Sequence, residues 1–170
     1  LLALLPAVVS AHFTVVYPPD RGDDDATQAT SPCGGKDTPS SSRAKWPLSG
    51  GSQVAIEATH PQSKMAVYLG LGNNPKAEDF TIVVKDVFMQ IGIGEFCWND
   101  LVFPSNLKVK EGDNATIQIV QQSEDTAGGL YNCADITFTN AAVSVKSCKN
   151  GTGISAEAIS SAASSSAAPS

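Results

Sequence analysis

The chain is 170 residues long, 16% of them charged and 42% hydrophobic, with a formal net charge of −6. That length holds one folded domain rather than two. The acidic balance excludes a nucleic-acid-binding surface, which needs clustered Lys and Arg against phosphate, and disfavours direct attraction to anionic lipid. No run of eighteen or more apolar residues occurs, so no segment reads as a membrane-spanning helix.

Residues 1–11 begin with a short apolar run, LLALLPAVV, and end in small residues at Val9-Ser10-Ala11 before the chain turns polar and Pro-rich. This is the tail of a secretory signal peptide, without its initiator Met or basic first segment. Cleavage after Ala11 makes His12 the first residue of the mature protein. One residue then offers two metal donors, its α-amine and its imidazole Nδ1. Both bind when deprotonated, and an α-amine, with a reference pKa of about 8, loses its proton more readily than a lysine amine. Two tethered nitrogens close a chelate ring at high effective concentration, and neutral nitrogen donors suit late first-row divalent metals, copper above all. His12 is therefore a candidate half-site for copper.

Residues 12–17 (HFTVVY) read as a first strand, stopped by Pro18-Pro19, which cannot donate to a central ladder. Residues 20–52 follow as a long polar segment pinned by Cys33 and carrying Trp46; a loop of that length is uncommon unless functional or stapled. Residues 53–58 (QVAIEA) alternate as a strand and deliver Thr59-His60-Pro61 to its end. Residues 64–71 and 80–89 are the next strand candidates, and residues 92–97 (GIGEFC) read as a bend into a disulfide-held edge. Residues 107–110 form a short segment, residues 111–114 (EGDN) a hairpin-type turn, and residues 115–121 (ATIQIVQ) an alternating strand. Residues 123–129 (SEDTAGG) are a polar loop with two carboxylates, residues 130–139 (LYNCADITFT) a central strand, and residues 142–148 close the domain. Seven or eight short strands predict an all-β domain over residues 12–150, an antiparallel immunoglobulin-like or fibronectin-like β-sandwich with long loops. Residues 151–170, rich in Ser and Ala, have too few large apolar side chains to offset chain entropy and read as a disordered tail.

Four cysteines, Cys33, Cys97, Cys133 and Cys148, behind a signal peptide read as two disulfides, and the sequence permits three pairings. None forms a C-x-x-C pair, which argues against zinc-ribbon and thioredoxin-type sites. Asn114-Ala-Thr and Asn150-Gly-Thr are candidate N-glycosylation sites that fit the secretory route. The only two histidines, His12 and His60, stand beside strand ends where the loops of a sandwich meet. A lone histidine is more often a strand cap or loop-packing residue; two so placed read as one copper site. The α-amine and two imidazoles supply three nitrogens in a T shape, leaving a place for a carboxylate or for chemistry. Asp23-Asp24-Asp25 read as a solvated loop or capping turn, while Asp100 is a further loop carboxylate. Glu124 and Asp125 lie beside two glycines that allow close backbone approach. Asp135 shares a face with Cys133, while Leu130, Asn132 and Ala134 face the other way. No G-x-S-x-G motif and no His near a reactive Cys offers a competing nucleophile.

HFTVVYPPDRGDDD, SPCGG, THP, GIGEFC and GLYNCADITF together resemble the fungal copper acquisition factor family, which is similar in fold to lytic polysaccharide monooxygenases. The likeness covers nearly all of residues 12–148. It implies a β-sandwich whose histidine brace holds one copper ion, through the amine and Nδ1 of His12 and the imidazole of His60. It also implies an Asp as additional ligand, carried here onto Asp125 with Asp135 as alternate, and the disulfides Cys33–Cys133 and Cys97–Cys148. In the monooxygenases an axial Tyr or Phe lies three residues before the matching Cys; that position here is Leu130, with Tyr131 pointing to the opposite face. A carboxylate near copper favours the oxidised ion without the open geometry that oxygen activation needs. Such proteins commonly continue through a Ser-rich region to a glycosylphosphatidylinositol anchor signal. No terminal apolar stretch of that kind follows here: either the sequence is a fragment or the anchor is absent, and the missing initiator Met favours a fragment.

The expectation is a monomeric protein, secreted or tethered at the cell surface in the cell-wall environment, that captures Cu(II) and passes it to a membrane copper-uptake system without turnover. The alternative is a copper-dependent lytic polysaccharide monooxygenase. That enzyme wants exposed aromatics near the metal, and only Phe13, Tyr17, Trp46 and Trp98 could serve; Phe13 and Trp98 read rather as core. A third reading is a structural wall or adhesion module whose histidines are idle, for which His60→Ala leaves metal affinity unchanged.

Overall fold

A computed structural model describes residues 12–122 and 128–159. In chain order the strands are β1 (Phe13–Tyr17), β2 (Ala44–Pro47), β3 (Ser52–Ala58), β4 (Gln62–Leu71), β5 (Ile82–Ile91), β6 (Gly94–Leu101), β7 (Asn114–Gln122), β8 (Leu130–Thr139) and β9 (Ser155–Ala158). They form a three-stranded sheet in the order β1-β3-β6 and a six-stranded sheet in the order β2-β8-β7-β4-β5-β9. The described helix is one 3-10 turn, Ala77–Asp79. The all-β sandwich expected from the alternating segments is the fold. One pairing departs from it: β2, a short strand inside the long polar segment, runs parallel to β8.

Alternation decides which side chains enter the core. Phe13, Val54, Ile56 and Phe96 from the small sheet meet Met65, Val67, Leu69, Ile117, Ile119, Ile136 and Phe138 from the large one, all nearly inaccessible to water. Phe13 and Trp98 are core residues. Cys133 and Asp135 of β8 point away from this core, where the segment between β1 and β2 folds back over the sheet. Cys33–Cys133 staples that segment, and the Arg21 N–H donates to the Cys133 carbonyl at 2.9 Å. Cys97–Cys148 packs with Ala55 and Tyr17 on the outer face of the small sheet.

Under the folded-back segment lies a buried ion pair. Arg21 Nε and Nη2 each donate to an Asp135 carboxylate oxygen at 2.9 Å, joined by the Thr116 hydroxyl at 2.7 Å and the Ser40 N–H at 2.7 Å. Burial alone would push the Asp135 carboxyl up; the Arg21 hydrogen bonds and charge, with Ser40 and Thr116, outweigh it and hold the group below the usual carboxylate range. Asp135, the alternate copper ligand, is thus engaged as a structural carboxylate, its lone pairs taken by a guanidinium, a hydroxyl and an amide.

The expected tail also needs correction, because the chain beyond residue 150 enters the domain. Gly151 N–H donates to the Glu95 carbonyl at 2.9 Å, Ile154 joins the core, and β9 pairs antiparallel with β5 from Ile91↔Ser155 to Phe88↔Ala158. Composition misleads here because one isoleucine anchors the segment and β9 is held through its backbone, which Ser and Ala supply as well as Val. The bend expected at residues 92–97 gives way to β6 from Gly94 onward, and residues 142–148 close the domain as coil.

Candidate metal centre

The pairing of β1 with β3 sets Phe13 opposite Ala58, so the residues just beyond, His12 and Thr59, also meet. The Thr59 hydroxyl donates to the His12 carbonyl. His60 follows at once in the turn between β3 and β4, which brings both histidines to one corner of the sandwich. His60 is buried, while the His12 side chain is 25% exposed, so this corner opens to the surface through His12.

Each ring faces a main-chain carbonyl. His12 Nε2 lies 2.8 Å from the Asp25 carbonyl oxygen and His60 Nδ1 lies 2.8 Å from that of Gln62. A carbonyl oxygen only accepts, so the nitrogen facing it carries the proton. In the neutral rings the lone pair therefore sits on Nδ1 of His12 and on Nε2 of His60. Metal-binding histidines commonly give their other ring N–H to a carbonyl or carboxylate, which fixes tautomer and ring orientation. For His12 the nitrogen so assigned is the one that could close a chelate ring with an α-amine on the same residue, were the chain to begin there. The donor chemistry at this corner fits a late first-row divalent ion such as copper.

The carboxylates are distributed differently from expectation. Asp25 Oδ1 lies 3.7 Å from His12 Nδ1 on a side chain that is 71% exposed. Sequence reasoning set this residue aside as part of a solvated loop. The available signal was Asp24, a turn-opening residue whose carbonyl accepts from the Thr27 and Gln28 N–H groups and so leaves Asp25 beside the turn. Asp125 and Glu124 lie outside the described residues. The strands that their loop connects end beside this corner: Gln122 of β7 pairs with Lys64 of β4, two residues into the strand that leaves His60. Asp100 lies at the other end of the small sheet, next to Leu101, which pairs with Ser52 at the start of β3. Among the described residues no three His, Cys, Asp or Glu side chains form a group able to hold a metal. What those residues bring together is the histidine pair, with Asp25 at its edge.

Leu130 is packed into the core. None of the eleven aromatic side chains is exposed; Tyr17, Tyr68, Phe103 and Tyr131 are half-buried and the others buried. Of the two sequons, Asn114 is half-buried, accepting from the Thr137 hydroxyl at 2.6 Å and donating to Asn73 Oδ1 at 2.9 Å. Asn150 is exposed, and its Oδ1 accepts the Cys97 N–H at 2.8 Å.

The family described as "Copper acquisition factor BIM1-like" matches residues 10–153. An uncharacterized protein of Aspergillus fumigatus is 44% identical over 169 residues, covering 96% of this chain and 68% of that protein. Lytic polysaccharide monooxygenase-like protein X325 of Yarrowia lipolytica is 36% identical over 170 residues, covering 95% of this chain and 62% of that protein. Copper acquisition factor BIM1 of Cryptococcus neoformans is 30% identical over 144 residues, covering 80% of this chain and 64% of that protein. The chain thus spans roughly two thirds of the length of these relatives. With the family matched across nearly the whole described domain, the chain belongs to the copper acquisition factor BIM1-like family.

Proposed function

We propose that this protein captures Cu(II) outside the cell, holding one ion between His12 and His60 for delivery to a copper-uptake system in the membrane, without turnover. A copper-related role is supported by the family and by relatives named copper acquisition factor and lytic polysaccharide monooxygenase-like protein. The observation that carries the site assignment is the pair of ring-to-carbonyl hydrogen bonds, which orient the two rings and place a proton on Nε2 of His12 and on Nδ1 of His60, so that Nδ1 and Nε2 respectively would be the metal-binding nitrogens. Cleavage after Ala11 adds the His12 α-amine as a third nitrogen. A carboxylate completes the set, Asp125 from the β7–β8 loop or Asp25. The leader at residues 1–11 and the two sequons support an extracellular location, with anchoring at the cell surface by a glycosylphosphatidylinositol group.

Capture rather than oxidation is supported by Leu130 in the core and by the lack of an exposed aromatic platform on which a polysaccharide could stack. The test is to incubate the copper-loaded protein with ascorbate and, in turn, chitin, cellulose and fungal wall glucan, and to analyse the soluble products by mass spectrometry. No oxidised oligosaccharides are expected. Reductant-dependent release of oxidised sugars from any of the three would establish the monooxygenase reading instead.

A further inference from the structure

We infer that the peptide joining His12 to Phe13 is clamped from both sides, by Thr59 and by Gln28, and that Gln28 is the positioning residue that sets the orientation of the His12 chelate. This rests on the copper-capture reading and names the residues that would make the site rigid.

β1 is an edge strand, so the backbone groups on its outer side have no neighbouring strand. Buried main-chain groups must nevertheless find partners. At Phe13 the partner is a side chain: Gln28 Oε1 accepts the Phe13 N–H at 3.3 Å, and Gln28 Nε2 donates to the Phe13 carbonyl at 2.7 Å. A carboxamide presents one acceptor and one donor in a plane, as a peptide group does, so Gln28 acts as a one-residue substitute for a strand. Asn132 Nδ2 adds a second donor to the same carbonyl at 3.2 Å. Gln28 and Asn132 are each 1% exposed and Phe13 is fully buried, so these bonds do not compete with water.

Gln28 is itself held. Its carbonyl accepts the Tyr131 N–H of β8 at 2.9 Å, its own N–H donates to the Asp24 carbonyl at 2.9 Å, and the turn it belongs to is tied to β8 by Cys33–Cys133. The close approach needs Gly34, whose φ is +64° and where an added Cβ would lie 2.5 Å from the Tyr131 carbonyl oxygen. The same turn presents the Asp25 carbonyl to the His12 ring. One stapled element therefore touches the residue at its imidazole and at the peptide that follows it.

The consequence is geometric. The His12–Phe13 peptide has its carbonyl held by the Thr59 hydroxyl and its N–H held by Gln28. With that plane fixed, the His12 Cα, from which both the α-amine and the ring extend, has little room to turn. Residues that orient metal ligands in this indirect way typically contribute about 10–100-fold in metal affinity when replaced.

The test uses the protein beginning at His12, as wild type, Gln28→Glu, Gln28→Met and Thr59→Val, with Cu(II) competition titrations, copper EPR, circular dichroism and urea unfolding of the metal-free forms. Gln28→Glu keeps an acceptor for the Phe13 N–H but sets a carboxylate against the Phe13 carbonyl. The expected result is a folded variant with Cu(II) affinity lower by about 10-fold or more and an EPR signal split into more than one species. A folded Gln28→Glu with wild-type affinity and spectrum overturns the inference. Should Gln28→Glu fail to fold, Gln28→Met, which keeps the side chain's length and removes both hydrogen-bonding atoms, decides for Gln28 in the same way, and Thr59→Val, whose side chain is exposed and keeps its shape, decides for the other side of the clamp. A wild type that lacks a nitrogen-rich signal overturns the copper-capture reading itself, and this inference with it; an intact wild-type signal with unaffected variants overturns the positioning role alone.

Discussion

In a protein that begins at His12, His60→Ala is expected to lower Cu(II) affinity by more than the roughly 10–100-fold that changes beside a ligand cost. The variant removes a donor nitrogen whose direction is set by the hydrogen bond from His60 Nδ1 to the Gln62 carbonyl. That bond is worth about 1 kcal/mol of net stability and the buried ring also packs, so the metal-free variant should stay folded but unfold at a lower temperature, while copper binding is lost. Isothermal titration and a thermal melt on the same preparation separate the two effects. An adhesion module with idle histidines would show the reverse, an unchanged affinity.

The largest stability effect is expected at the ion pair beneath the β1–β2 segment. Arg21→Met leaves the Asp135 carboxylate in a site where its side chain is 0% exposed. Breaking one partner of such a pair costs about 3–5 kcal/mol, whereas replacing both by apolar residues costs far less. Urea unfolding of Arg21→Met against an Arg21→Met/Asp135→Leu double variant measures the difference. The pair also has a pH signature. Burial opposes ionisation of Asp135, but Arg21, Ser40 and Thr116 bring its carboxyl below the usual value in the folded state. A group depressed in this way contributes stability that is complete above its unfolded value, about 3.9, and is lost as pH falls through the lower folded value. Stability should therefore fall with acid below about pH 4, and Asp135→Asn should lack that component of the slope. Because Asp135 lies away from the histidine corner, the same variant should leave the copper EPR spectrum unchanged.

The strand ends that carry His12 and His60 were legible because their signals are local. An apolar run ending in small residues just before a histidine suggests a chelate without any knowledge of the fold, and QVAIEA-THP places His60 at a strand end by alternation, where β3 ends at Ala58. The core positions on β3, β7 and β8 follow from the same period of two. The partners of those residues were less visible. Gln28 and Asp25 act on His12 and Phe13 from more than a dozen residues away, and nothing in SPCGG or DDD states where the segment folds back. Asp135 read as a possible ligand because its face on β8 was known and its occupant was not; Arg21, 114 residues away, is supplied by tertiary structure. β9 escaped notice because its pairing depends on main-chain groups next to a single anchoring isoleucine. The parallel pairing of β2 with β8 escaped for a related reason, since a four-residue strand in a polar segment carries little pattern of its own.

In the proposed site the α-amine and ring of His12 join His60 around one copper. The most direct measurement is a Cu(II) titration, with affinity and EPR recorded, on two forms: one beginning at His12 and one with a single residue added before it. The added residue turns the amine into an amide and leaves both imidazoles in place. Tight binding of one copper with nitrogen-rich coordination is expected in the first form, and loss of both in the second. Equal and weak binding by the two forms would contradict that site.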